Sequence, residues 1–149
     1  MQRRTLLAGA SALALTAFGQ PARVGSRPLV VAQLQDTSVA EQDVTKDFLV
    51  GARAAWQDLN ARGGVRGRPV QHLALEVDGS PAGVAQAWQS LRDNPACVVL
   101  SGTAGDPAAT ALAGVLRKDN AAIAHAAPWL QNSDAEVDER TFPIFSGRQ

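Results

Sequence analysis

The sequence predicts an α/β fold with a doubly wound parallel sheet, and three observations predict it. Segments of strand length alternate with segments of helical periodicity: two are apolar runs, at residues 28–34 and 96–102, and the one at residues 70–77 has two alternating sets of side chains. The first run, PLVVAQL, is almost continuously apolar, as in strands that are buried on both faces of a parallel sheet. Each helical segment is long enough to cross between parallel strands, so we expect helices on both faces.

A signal peptide is predicted ahead of this fold, at residues 1–19. It has a basic start, an apolar run at Leu6–Phe18 and a small-residue exit. The apolar run is shorter than the roughly 20 residues that span a bilayer. Arg3 and Arg4 followed by Thr-Leu-Leu are similar to a twin-arginine export signal, and an ordinary Sec signal is the alternative. We expect the mature, exported chain to be residues 20–149.

Composition argues against several kinds of partner. Lys and Arg total 14, as do Asp and Glu, so no basic surface for nucleic acid is predicted, and no second segment is apolar enough for a transmembrane helix. Cys97 is the only cysteine, which rules out an internal disulfide, and we expect it to be a buried small hydrophobe. His72 and His125 are far apart in sequence, so no metal site and no cofactor are predicted.

The first helix is predicted at residues 46–60, after a polar loop at residues 35–45. Its apolar positions recur every three or four residues, as in an amphipathic helix: Leu49, Ala52, Trp56 and Leu59. The glycine-rich segment NARGGVRGRPV follows, in which Gly63 or Gly64 can end the helix in the left-handed conformation. A phosphate-binding loop would need a strand before the glycines and a helix after them. We therefore favour a helix-to-strand connection over an anion site.

The second and third helices begin with the same pattern of a capping residue followed by proline. Ser80 and Pro81 open the second helix, and Asp106 and Pro107 open the third. The predicted buried stripes are Val84, Trp88 and Leu91, then Ala108, Leu112, Val115 and Leu116. Short strands are predicted at residues 121–127 and 142–146.

Three loops are candidates for function. Ligands of an open parallel sheet bind outside the carboxyl ends of the strands, near the point where the strand order reverses. The loops at residues 35–45, 101–106 and 126–131 follow predicted strands, so we expect any ligand there.

The chain resembles a known family over three segments in this order: DFLVGARAAWQDLNARGGVRGRPV, LEVDGSPAGVAQAWQSL and VVLSGTAGDPAATALAGVLRKDNAAIAHAAP. They are similar to the N-terminal lobe of the type I periplasmic solute-binding proteins of ABC transporters, in the branched-chain amino-acid and amide group. The resemblance implies a Rossmann-like lobe, a small polar solute, a periplasmic location and docking on a membrane permease. Family members are usually more than twice this long, so we expect residues 20–149 to be an N-terminal lobe truncated before the second lobe.

The resemblance also implies a set of ligand-binding residues. The family's ligand-binding Ser and Thr align with Asp106 and Trp129 in this sequence. A carboxylate at Asp106 would repel the carboxylate of an amino acid, which favours a cationic or neutral polar solute, and Trp129 could add a cation–π contact. The alternatives are a purely capping Asp106, a packed Trp129 and a structural His125 below the cleft. The implied set is Ser101, Gly102, Thr103, Asp106, Ala127 and Trp129.

No catalytic residues are predicted. The segment LSGTAG lacks the Gly-x-Ser-x-Gly pattern, and no Ser-His-Asp arrangement follows from the spacing. A ligand-sensing domain of a receptor with the same fold is the first alternative to solute uptake, and a secreted hydrolase is the second.

Overall fold

The computed structural model describes residues 27–131 and 136–145, so the predicted signal peptide lies outside the described residues. The elements in chain order are β1 (Leu29–Asp36), α1 (Gln42–Ala61), β2 (Val70–Val77), α2 (Pro81–Arg92), β3 (Cys97–Ser101), α3 (Asp106–Lys118), β4 (Ala124–Ala126) and β5 (Thr141–Phe142).

The strands form one parallel sheet in the order β2-β1-β3-β4-β5. β1 and β2 pair along their full length, from Leu29 opposite Val70 to Asp36 opposite Val77. The chain adds β2 on one side of β1 and then returns to add β3 on the other side, so the strand order reverses between β1 and β3. The predicted doubly wound parallel sheet is confirmed.

Helices cover both faces of the sheet. The hydrophobic core joins α2 and α3 to Ala32 and Leu34 of β1. On α1, Trp56 contacts the His72 ring with centroids 6.4 Å apart, and His72 in turn bonds the Gln33 side chain. Because neighbouring strand residues point to opposite faces, α1 covers the face that α2 and α3 leave open.

The face that α1 covers is less completely buried. Within α1 only Thr45 is fully buried, whereas α3 fully buries five residues: Ala108, Ala109, Leu112, Ala113 and Leu116. The predicted apolar stripe of α1, which is Leu49, Ala52, Trp56 and Leu59, is only half-buried.

The predicted polar loop at residues 35–45 is wrong in both of its boundaries. Gln35 and Asp36 belong to β1 because they pair with Glu76 and Val77 of β2, and the chain after β3 extends the ladder on the other side of β1. The Asp36 N–H donates to the Ala104 carbonyl at 3.0 Å, and the Ala104 N–H donates to the Leu34 carbonyl at 3.0 Å. α1 then begins at Gln42 rather than at residue 46.

The glycine-rich segment connects a helix to a strand, as predicted. Gly63 and Gly64 have φ angles of 102° and 72°, and the Gly64 N–H bonds the Leu59 carbonyl at 2.9 Å. The Asn60 side chain bonds both backbone polar groups of Val70, at 2.7 and 2.8 Å. The segment therefore fixes the start of β2, at the edge of the sheet opposite the loops that follow the strands.

The helix starts agree with the sequence at α2 but not at α3. Ser80 caps α2, because its hydroxyl accepts the Gly83 N–H at 3.1 Å. Asp106 does not cap α3; Gly105, with φ 94°, is the N-cap residue. A Cβ on Gly105 would lie 2.5 Å from the Asp36 Cβ. The tight contact with β1 thus requires glycine at the cap, and Asp106 becomes the first helical residue.

Cys97 is half-buried rather than fully buried, and burial raises the pKa of its thiol. It packs against the core as a small apolar residue. Within the described ranges, no helix has the length and hydrophobicity that a membrane span requires.

Candidate functional site

A cavity of about 670 Å³ opens at the carboxyl ends of β3 and β4. Ser101 and Gly102 form its border at β3, and Ala127 and Trp129 form its border after β4. The opposite side is α1 between Val44 and Trp56. Most of the lining is apolar or aromatic, which suits a small solute with an apolar part.

Four of the six predicted ligand-binding residues line this cavity, namely Ser101, Gly102, Ala127 and Trp129. The other two do not. Thr103 is fully buried, and its Oγ1 lies 2.8 Å from His125 Nε2. The Asp106 carboxylate accepts the Gln131 N–H at 3.1 Å. The Thr103 and Asp106 side chains therefore join the two loops to their surroundings, and a ligand-binding role for either stays a prediction.

The three candidate loops contribute unequally. Those after β3 and β4 supply cavity residues, whereas the connection between β1 and α1 supplies none. Val44 was predicted to lie in that loop. In the structure it belongs to the first turn of α1 and lines the cavity from there.

The backbone at the mouth of the cavity adopts unusual conformations. Gly102 has φ 70° and Ala127 has φ 54°, which is uncommon for a residue with a side chain. The Gly102 N–H donates to the Ala126 carbonyl at 2.9 Å, and the Ala127 N–H donates to the Phe142 carbonyl at 2.8 Å. A Cβ on Gly102 would lie 2.7 Å from Phe48 Cε1. Glycine thus lets the Phe48 ring lie against the loop.

Trp129 both packs in an aromatic cluster and lines the cavity. Its ring makes edge contacts with Phe48 at 6.1 Å and with Phe145 at 5.1 Å between centroids. Its backbone N–H donates to the Thr103 carbonyl at 2.9 Å. The two interpretations of Trp129 in the sequence, a packed aromatic and part of the cavity lining, are therefore compatible.

Asp47 is the charged residue in the cavity lining, and sequence reasoning did not single it out. It follows Asp43 by four residues in α1 and precedes Gly51 by four, so it lies on the same side of the helix as Gly51 and Ala55. That four-residue spacing of a carboxylate and two small residues is the signal that could have found it. Asp47 gives the cavity a negative charge where Asp106 was expected to provide one.

His125 lies below the site and does not line the cavity. Burial lowers the pKa of its imidazole to about 4, and the charge of Asp138 opposes this shift. The ring is therefore neutral at pH 7. In the described part of the chain, no three His, Cys, Asp or Glu side chains are grouped as metal ligands would be.

The sequence profile of the periplasmic binding protein family matches residues 28–149. No curated protein matches the chain by sequence.

Several solved structures share the fold. The isoleucine complex of the branched-chain amino-acid transporter substrate-binding protein LivJ from Streptococcus pneumoniae has a TM-score of 0.57 and 18% identity, over 71% of this chain and 30% of that one. A putative branched-chain amino-acid ABC transporter protein from Rhodospirillum rubrum has a TM-score of 0.59 and 21% identity, over 66% and 28%. A substrate-binding periplasmic protein from Ralstonia solanacearum has a TM-score of 0.58 and 22% identity, over 67% and 28%.

The aligned region is less than a third of the length of each of these proteins. It corresponds to their N-terminal part, a parallel sheet with flanking helices. The profile match extends over more than half of the chain, from the start of β1 onward. The chain therefore belongs to the periplasmic binding protein family, whose members are extracytoplasmic solute-binding proteins.

Proposed function

We propose that this chain forms part of the extracytoplasmic solute-binding component of an ABC uptake system. The observation that carries the proposal is the cavity at the carboxyl ends of β3 and β4, where Ser101, Gly102, Ala127 and Trp129 meet α1. Binding at this edge follows the general rule for open parallel sheets.

The proposed solute is a small amine or amide with an apolar side chain. Phe48, Trp56 and Trp129 offer aromatic surface to an apolar group. The Asp47 carboxylate attracts a cationic amine and repels a carboxylate, by on the order of 1 to 4 kcal/mol at contact distance, depending on the local dielectric. The Ser101 hydroxyl adds a donor and an acceptor for an amide.

Export and delivery complete the proposal. Residues 1–19 would direct the chain out of the cytoplasm, and the loaded binding protein would deliver its solute to a membrane permease. No chemical step on the solute is proposed, since the cavity is assigned to binding alone.

A series of three solutes tests the proposed chemistry. Leucinamide has a cationic amine and a neutral amide, leucine adds a carboxylate, and isocaproate keeps the carboxylate but lacks the amine. We expect the dissociation constants, measured by isothermal titration calorimetry on the chain, to rise in that order. The reverse order would contradict the role of Asp47.

Matched variants test the location of the site. In Ala55→Trp the indole fills the cavity, whereas Ala54→Trp places the same group at an exposed position of α1 that does not line it. Asp47→Asn is paired with Asp43→Asn, because Asp43 is exposed on the same helix and lies outside the cavity lining. We expect only the Ala55 and Asp47 variants to weaken leucinamide binding. Equal effects within each pair would place the site elsewhere.

A further inference from the structure

Two buried side chains join the loops on either side of the cavity. Thr103 follows β3 and His125 lies in β4, and both have no exposed surface. Thr103 Oγ1 and His125 Nε2 are 2.8 Å apart, within hydrogen-bond distance. β3 and β4 are paired so that Leu100 lies opposite His125, which brings the residues just after β3 over the imidazole.

Thr103 bonds the β4 side through two groups. Its side chain bonds His125, and its carbonyl accepts the Trp129 N–H at 2.9 Å. The neighbouring Gly102 N–H bonds the Ala126 carbonyl at 2.9 Å. Three neighbouring bonds thus hold the residues after β3 against β4 and the loop that follows it, and of these three the Thr103–His125 bond joins two side chains. The Asp106 carboxylate adds a further bond, because it accepts the Gln131 N–H at 3.1 Å.

These loops carry the cavity residues that need a fixed backbone. Gly102 and Ala127 both have positive φ angles, 70° and 54°. For Ala127 this conformation is unfavourable and persists only where the surroundings determine it. A loop that could relax would move Gly102 away from Phe48 and Trp129 away from the cavity.

A buried histidine is a poor choice for filling space alone. Its polar ring must be hydrogen-bonded or pay a desolvation penalty that a leucine of similar size would avoid. Within the described residues, Nδ1 of His125 has no hydrogen-bond partner, so the bond to Thr103 is the one that its side chain forms.

We propose that His125 and Thr103 are positioning residues, which hold Gly102 and Trp129 in the arrangement that forms the cavity. Neither side chain contacts the solute in this assignment. The effect of this pair on solute binding rests on the function proposed above. Its effect on the loop conformation does not depend on that function.

Native-state hydrogen exchange on the chain tests the proposal without a solute. Thr103→Val keeps the branched shape and removes the hydroxyl, and Thr103→Ser keeps the hydroxyl. In the valine variant we expect exchange at the Gly102 and Trp129 amides to accelerate about tenfold or more relative to α3 amides such as that of Leu112. The serine variant should restore slow exchange.

A double variant separates positioning from stability. Thr103→Val with His125→Leu leaves no unpaired polar group from this pair, so exchange at α3 should return toward the wild-type rate. If the pair positions the loops, the Gly102 and Trp129 amides still exchange fast. If the Gly102 and Trp129 amides of the double variant also return to the wild-type exchange rate, the proposal is overturned. It is likewise overturned if Thr103→Val accelerates amide exchange equally in every helix and strand.

Leucinamide binding by the same variants gives the functional readout. We expect at least a tenfold rise in the dissociation constant for the double variant, with a wild-type value for Thr103→Ser. Unchanged binding alongside accelerated loop exchange would overturn the link to the cavity. Absence of leucinamide binding by the wild-type chain would count against the proposed solute, while the exchange data would still decide whether the pair positions the loops.

Discussion

His125 has no exposed surface, and burial lowers the pKa of its imidazole from 6.5 to about 4. The unfolded chain therefore binds a proton more readily than the folded chain between these two values. The stability that depends on a neutral His125 is complete above pH 6.5 and is lost as the pH falls toward 4. We expect a loss of roughly 3 kcal/mol in the free energy of unfolding over this interval.

Urea unfolding at a series of pH values measures this loss. His125→Gln keeps a polar side chain that does not titrate, so its stability should vary less between pH 6.5 and pH 4.5, an interval in which most carboxylates remain ionised. A variant with the same pH dependence as the wild type would show that the lost stability comes from other groups.

The residues of the site could be predicted from sequence only in part. The rule for parallel sheets selects the loops after β3 and β4, and the family resemblance selects residues within them. Four of those residues line the cavity, namely Ser101, Gly102, Ala127 and Trp129. The Thr103–His125 bond spans 22 positions and depends on the pairing of β3 with β4. Local patterns contain no information on that pairing, which is why the sequence placed Thr103 among the ligand-binding residues and did not predict its bond to His125.

At the scale of single elements, the start of α2 depends on the Ser80 hydroxyl. Ser80→Ala leaves the Gly83 N–H without its acceptor. We expect the change to lower the free energy of unfolding by about 1 kcal/mol in urea. Ser90→Ala is the control, since the Ser90 hydroxyl is exposed and bonds only the Ala87 carbonyl of its own helix. An equal effect of both changes would contradict the capping role.

The connection between α1 and β2 depends on Gly64. A Cβ there would lie 2.0 Å from the Arg68 carbonyl oxygen, at a φ of 72°. Gly64→Ala should therefore destabilise the chain by more than about 1 kcal/mol, because steric overlap adds to the cost of the left-handed conformation. Gly114→Ala, in α3 with nothing within 4 Å of the added Cβ, should stabilise by about 0.5 to 1 kcal/mol. If both variants changed the free energy of unfolding in the same direction in urea, this interpretation of Gly64 would be wrong.

The sequence predicted the bounds of a helix or strand correctly where those bounds depend on contacts between residues that are close in sequence. Ser80 and Pro81 marked the start of α2, and the alternating pattern of β2 gave its bounds. The predictions were wrong at the end of β1, near Asp36, and at the start of α3, near Asp106. At both places residues that are distant in sequence determine where the element begins or ends. β1 extends to Asp36 because its end pairs with Val77 of β2 on one side and with Ala104 on the other. The contact between Gly105 and Asp36 moves the cap of α3 by one residue.

At the scale of the whole molecule, the two faces of the sheet should differ in local stability. α3 packs five fully buried residues into the core, whereas α1 fully buries only Thr45. We expect amides in the middle of α1 to exchange faster than those of α3, because local opening of α1 exposes less apolar surface. Equal protection of the two helices in residue-resolved hydrogen exchange would contradict this difference.

The fold class was predictable because strands and helices alternate in the sequence from residue 28 onward. The sequence did not predict that α1 covers its face of the sheet incompletely, because the apolar stripe of α1 has the same period as that of any helix packed on a sheet. The stripe determines which side faces the sheet and does not determine how much of the sheet it covers.

An NMR titration of the chain with leucinamide tests most directly whether a solute site lies at the carboxyl ends of β3 and β4. We predict that amide shifts change at Ser101, Gly102, Ala127 and Trp129 and along α1 from Val44 to Trp56, with α2 unaffected. Shift changes confined to the opposite edge of the sheet, around Gly63 to Arg68, would contradict it.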